Sequence, residues 1–227
     1  PRVLVQILFA DQPVPTDGDT ATDTEQLSAT LAGTLETHEG GMTHRASVGY
    51  FDSTNRNLTD GQALSSSASD RATLTLQSDI DVGTDGNRLS LALEHERTRF
   101  EQRGEVGFGD PNQNQEMDIT SAVADFQGLS RERLTWLLSL RYDDNSDFEN
   151  IVTGRASVAY ELSDSTTLRA NIGTGQKNPT FTERFGFFPG QFVGNSELNP
   201  ERSIAYEVGV DQSFLDGAFV LQTSLFQ

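Results

Sequence analysis

Five phenylalanines, Phe181, Phe185, Phe187, Phe188 and Phe192, crowd into one stretch that also holds Gly186, Gly190 and Gly194. With glycines free to bend the chain sharply between them, such rings offer flat apolar surfaces on which a bulky ligand can be held. The same rings could instead pack the loop on itself or join an interfacial aromatic girdle. Neither use involves making or breaking bonds. The three histidines, His38, His44 and His95, have no third ligand at a zinc spacing, and cysteine is absent. No Ser-His-Asp order or nucleophile elbow is present either. No catalytic residue, metal site or cofactor is expected.

Two segments imitate ligand sites. Gly173-Thr174-Gly175-Gln176-Lys177 looks like a phosphate loop but lacks the Walker spacing and a following helical pattern. Asp143-Asp144-Asn145-Ser146-Asp147-Phe148-Glu149 alternates oxygen side chains as the start of a calcium loop does. It lacks the glycine at the sixth position and the closing glutamate at the twelfth, so a solvated turn is the favoured reading over a calcium site.

The elements that must carry these residues are strands. Apolar residues recur at every second position: Ala29, Leu31, Gly33, Leu35; Ala46, Val48, Tyr50; Ala72, Leu74, Leu76; Leu89, Leu91, Leu93; Leu134, Trp136, Leu138, Leu140, Tyr142. The pattern continues through Ala156, Val158, Tyr160, Leu162; Leu168, Ala170, Ile172; and Ile204, Tyr206, Val208, Val210. The residues between them are small, polar or charged, as in Ser139 and Arg141 or Glu207 and Asp211. This period of two predicts about eleven strands, with 3–9 and 117–127 the faintest. Connections are expected to alternate, short at 38–42, 82–86, 128–131, 163–165 and 215–217, long at 10–23, 52–69, 102–116, 143–150 and 176–200. Short turns on one side and long loops on the other are the habit of an outer-membrane barrel, which puts the Phe cluster outside. Asp216-Gly217 suits a two-residue hairpin turn and sets Phe214 opposite Phe219 and Val208 opposite Leu225. A turn centred on Ser165 would set Glu161 opposite Arg169.

Composition agrees without deciding. Of 227 residues 34 are acidic and 16 basic, a formal net charge of -18 that repels nucleic-acid backbones. Mean hydropathy is -0.46 and no run approaches the roughly 18 apolar residues of a membrane helix, but barrel strands need apolar residues only at alternate positions. The chain opens Pro1-Arg2-Val3-Leu4 with no leader-like segment and stops within a strand pattern, so it is read as an internal fragment.

From Thr167 the chain reads Thr-Leu-Arg-Ala-Asn-Ile-Gly-Thr-Gly-Gln-Lys-Asn-Pro-Thr-Phe, and after the Phe-rich stretch Asn-Ser-Glu-Leu-Asn-Pro-Glu-Arg-Ser-Ile-Ala-Tyr-Glu-Val-Gly up to Gly209. These two stretches, with Arg141-Tyr142-Asp143-Asp144-Asn145, resemble the barrel of TonB-dependent outer-membrane receptors, those for siderophores and cobalamin among them. The resemblance implies an all-β fold, an antiparallel transmembrane β-barrel of which residues 1–227 form a part, with the plug domain and C-terminal strands absent. It further implies a protein of the Gram-negative outer membrane that imports a scarce bulky nutrient, a ferric siderophore foremost, and is not an enzyme. Its partners would be that ligand, bound by Phe181, Phe185, Phe187, Phe188 and Phe192, its own plug, outer-membrane lipid, and the energy-coupling protein TonB through an N-terminal region. The alternatives are a passive porin or adhesin-type barrel and a soluble β-rich carbohydrate-binding or structural protein.

Overall fold

A computed structural model describes residues 2–11, 20–83, 86–106, 109–130, 133–188, 190 and 192–227, with only the backbone for 2–11 and 188. Eleven antiparallel strands form one sheet in strict sequence order. They are β1 (Arg2–Asp11), β2 (Thr20–Thr37), β3 (Met42–Thr59), β4 (Gln62–Val82), β5 (Asn87–Gly104), β6 (Gln113–Ser130), β7 (Leu134–Asn145), β8 (Ile151–Ser163), β9 (Thr166–Lys177), β12 (Glu201–Phe214) and β13 (Phe219–Phe226). Between β9 and β12 lie a short helix, α1 (Phe181–Phe185), and a two-stranded ladder of β10 (Phe187–Phe188) and β11 (Phe192–Val193).

The register carries every apolar stripe into one continuous face. Leu31 pairs with Val48 and Val48 with Leu74, while Leu138, Ala156, Ile172 and Tyr206 follow one another across β7, β8, β9 and β12. This face is open to its surroundings: Leu138 is 53% and Leu140 57% exposed. Its apolar run on β7 extends from Leu134 to Tyr142 and stops at Asp144, and on β4 from Ala72 to Val82 below Asp70. Each is close to the roughly 9–11 residues with which a tilted strand crosses hydrocarbon. Aromatic rings gather toward the short-turn edge, where Phe126 meets Trp136 edge-on at 4.9 Å and Phe214 lies 5.8 Å from Phe219. Rings at such edges suit the boundary between lipid and water. On the opposite face polar side chains pair across strands, as Arg169 does with Asp211 at 2.8 Å and Arg45 with Asp79.

Several expectations are met residue by residue. Phe214 faces Phe219 and Val208 faces Leu225 as expected, but the connection is the four residues 215–218 instead of a two-residue turn, with Leu215, Asp216 and Gly217 all at positive φ (54°, 56° and 87°). Both faint strands are present, somewhat longer than anticipated.

Other expectations need correction. The long loop expected over 52–69 is instead the far end of β3 and β4, closed by Asp60 and Gly61 at φ 50° and 75°. Above the lipid both faces of a hairpin are wet, so Asn55, Asn57, Ser65 and Ser67 show no apolar alternation although they stay in the ladder. Likewise the loops expected at 102–116 and 143–150 shrink to 105–112 and 146–150. The connection at 10–23 falls mostly on 12–19, outside the described residues. Glu161 does not face Arg169: Ala159 does, and Glu161 faces Thr167. Ser163 faces Thr166 across the turn, and Leu162 is the extra residue of a bulge between Glu161 and Ser163; together these two single-residue steps move the partner of Arg169 from Glu161 to Ala159 and keep Arg169 on the polar face.

Candidate functional site

The 178–200 loop folds inward over the polar face. Its N-terminal corner is held by a chain of amides: Gln176 donates to Asn178 at 2.9 Å and Asn178 to Asn145 at 3.2 Å. Then comes α1, whose start is a capping box. The Glu183 N–H donates to the Thr180 hydroxyl at 3.2 Å, and the Thr180 N–H donates back to the Glu183 carboxylate at 2.7 Å. Those donations, from the Thr180 backbone first and its hydroxyl second, hold the Glu183 carboxyl below its usual value. The loop's return limb is tied back by Gly194 N–H to Gly186 O at 2.7 Å and Asn195 N–H to Glu183 O at 2.9 Å.

The five phenylalanines do not form one aromatic patch. Phe181 stacks on Phe100 of β5, centroids 5.8 Å apart and planes 11° off parallel, and Phe100 is only 8% exposed. Phe187 is fixed through its backbone, whose carbonyl accepts from Gln102 at 2.9 Å, and its ring lies so close over Gly109 that a β-carbon there would fall 2.4 Å from it. Phe185 packs under the Arg184 guanidinium, at 4.6 Å. Phe188 is paired by its backbone with Phe192, and its side chain is outside the described ones. Phe192 is 40% exposed. Two of the rings therefore brace the loop against β5 and its neighbour loop, and Phe192 is the most exposed of those with described side chains.

Arg184 is the loop residue that the alternation and the Phe count leave unnoticed. It is 13% exposed, meets Asp147 at 2.6 Å, and lies over the Phe148 ring at 4.8 Å as well as that of Phe185. Its Nε is buried without a partner. The Thr180-x-x-Glu183 spacing is the one local signal that a helix begins here.

The acidic run is partitioned among arginines. Asp143 bonds Arg141 at 2.7 Å, Asp147 bonds Arg184, and Arg141 also reaches Glu94 at 2.6 Å. Among the described residues no group of three or more His, Asp or Glu side chains could hold a metal ion. A groove of about 920 Å3 lies on the apolar face, lined by Leu35, Leu76, Leu91, Leu93 and Leu140 among others. Those residues belong to the lipid-facing stripes, so the groove is no part of the polar site. A cavity of about 410 Å3 does belong to it, between the Asn178-to-Thr182 corner and the polar sides of β3 to β6.

A family model described as TonB dependent receptor-like, beta-barrel matches residues 7–227. The vitamin B12 transporter BtuB of Photobacterium profundum is 30% identical over 158 residues, which is 69% of this chain and 24% of that protein. Among solved structures, the siderophore receptor PirA from Pseudomonas aeruginosa superposes with a TM-score of 0.73 at 17% identity, over 99% of this chain and 45% of its own. The hemophore receptor HasR of Serratia marcescens, solved with its hemophore HasA and heme, gives 0.79 at 16% identity over 99% and 42%. The chain thus spans about a quarter of the length of the curated relative and under half of each of these receptors.

Proposed function

Since the chain belongs to the TonB-dependent receptor β-barrel family and to the Gram-negative outer membrane, we propose that the complete receptor imports a scarce bulky nutrient, a ferric siderophore foremost. The barrel part contributed here would be completed by further strands and a plug, and uptake would be driven by TonB from the inner membrane. No covalent chemistry is required of it. Capture is assigned to the loop that carries Phe181, Phe185, Phe187, Phe188 and Phe192, with Phe192 touching the ligand and Phe181 and Phe187 holding the loop in place.

The observation that carries this reading is the seating of the loop. A polar wall built for a passive pore has no need of a capped helix, a stacked ring pair and a buried arginine pressed onto its inner surface. A preformed surface of that kind suits binding, because little ordering cost remains when the ligand arrives. The passive alternative is tested in cells producing the full receptor, by following labelled ferric siderophore after collapse of the proton gradient. Binding that persists while uptake stops is the expected result. Uptake that continues unchanged would favour the passive pore.

A further inference from the structure

In the cavity under the loop corner, uncharged polar residues such as Ser53, Asn55, Thr98 and Asn178 outnumber the charged ones. Ser67, Ser69 and Thr182 line this space with no side-chain hydrogen bond among the described residues, and the stacked Phe100 and Phe181 rings contribute to its apolar wall. Its two charged side chains, Arg71 and Glu96, lie 3.5 Å from each other and cancel.

The cancellation extends over the sheet. Among the residues with described side chains, every lysine and arginine has a carboxylate within 4.0 Å except Arg155, which donates to Ser157 at 3.1 Å and does not line the cavity. The loop's own cations follow the rule: Arg184 is held by Asp147, and Lys177 lies 3.9 Å from Glu183. Among the described residues an anionic ligand entering here meets no uncommitted cation, and in the whole sequence acidic residues outnumber basic ones 34 to 16. Charge of that sign lowers both encounter rate and affinity for anions.

We infer that this cavity accepts an uncharged ligand surface rich in hydroxyl, amide or hydroxamate groups and disfavours an anionic one. The inference rests on the receptor reading above and narrows it: within ferric siderophores it selects the uncharged tris-hydroxamate type over the trianionic tris-catecholate type. Free hydroxyls can donate to and accept from such a ligand, and the ring wall can cover its apolar backbone.

Calorimetric titration of the full receptor with three probes tests it: a neutral ferric tris-hydroxamate, a trianionic ferric tris-catecholate, and cyanocobalamin as an uncharged, amide-rich complex without iron. The tris-hydroxamate should bind at least about tenfold tighter than the tris-catecholate. Glu96→Gln, which releases Arg71, should narrow that gap, and Ser69→Val with Thr182→Val should weaken the uncharged probe about tenfold. Tighter binding of the tris-catecholate would overturn the inference while leaving siderophore uptake standing. Binding of cyanocobalamin alone would support the charge selection and remove the iron reading. Wild-type affinity in the Ser69 and Thr182 double variant, with the fold verified by heat-modifiable gel mobility, would overturn the assignment to this cavity.

Discussion

Arg184 of α1 and Asp147 of the β7–β8 loop meet at 2.6 Å, and that contact ties two external loops together. Both groups are largely shielded from water, and Phe148 and Phe185 cover the faces of the guanidinium. Arg184→Ala leaves Asp147 without its partner and removes both ring contacts. A local destabilisation of about 1–3 kcal/mol is expected. Hydrogen exchange should quicken across 178–198 while β7 and β8 keep their protection. Arg184→Lys, which retains the charge but not the flat stacking surface, should fall between. Wild-type exchange in the alanine variant would show that the pair holds nothing.

The Phe100–Phe181 stack makes a second anchor, and its strength can be isolated. Each ring contributes by burial, and the pair adds about 0.5–1.5 kcal/mol through its geometry. A double-mutant cycle of Phe100→Ala and Phe181→Ala, read by thermal unfolding of the full receptor, should give a coupling in that range. Additive effects would mean that the rings share a neighbourhood without supporting each other.

Much of this architecture is legible from residue order alone, and the limits have physical causes. Alternation assigns a strand's face by parity, so it puts Arg169 on the polar face even though it misjudges the partner. The bulge at Leu162 inserts one residue next to the end of β8, where only Ser163 lies beyond it, so the alternating pattern holds no trace of it. Beyond the lipid, the upper β3–β4 hairpin has water on both sides, and no alternation marks Asn55 or Ser67 as strand. Asp60-Gly61 is the available clue, since that pair suits a tight hairpin turn. In the loop, counting phenylalanines marks out the segment, but which rings brace it depends on Phe100 and Gly109, far away in sequence.

Acid should loosen the start of α1. The Glu183 carboxyl is held below its ordinary value in the folded loop, chiefly by the Thr180 N–H. A group depressed on folding stabilises the fold above its unfolded value and loses that contribution as pH falls through the folded one. The capping box should therefore persist just below the ordinary glutamate range and open at still lower pH, seen in the amide shifts of Thr180 and Glu183. Thr180→Ala, which removes the hydroxyl but keeps the N–H, should weaken the pH response without abolishing it and cost about 1 kcal/mol at neutral pH. An amide transition at the ordinary glutamate value would contradict the cap.

The membrane orientation of β7 can be tested by single cysteines in the full receptor. Leu138 stands on the apolar face, whereas Thr135 and Ser139 belong to the polar one, where Ser139 donates to Asp125. Leu138→Cys should react with a lipid-soluble reagent and resist a water-soluble one. Thr135→Cys and Ser139→Cys should be labelled less by the lipid-soluble reagent than Leu138→Cys. Equal reaction with both reagents at all three positions would contradict a sheet with one face in hydrocarbon.

The division of labour among the loop rings is the most direct functional prediction. Phe187 is pinned by Gln102 and lies flush on Gly109, so Phe187→Ala should lower the melting temperature and disturb ligand affinity only through the loop's position. Phe192 is 40% exposed, and Phe192→Ala should lower the melting temperature less than Phe187→Ala does. If Phe192 covers apolar ligand surface, removing it forfeits about 25 cal/mol for each Å2 no longer buried, and a ring's worth of contact is about tenfold or more in affinity. Binding and thermal unfolding measured on both variants would separate the roles. Unchanged affinity in Phe192→Ala would remove this ring from the ligand site, and unchanged stability in Phe187→Ala would remove Phe187 from the brace.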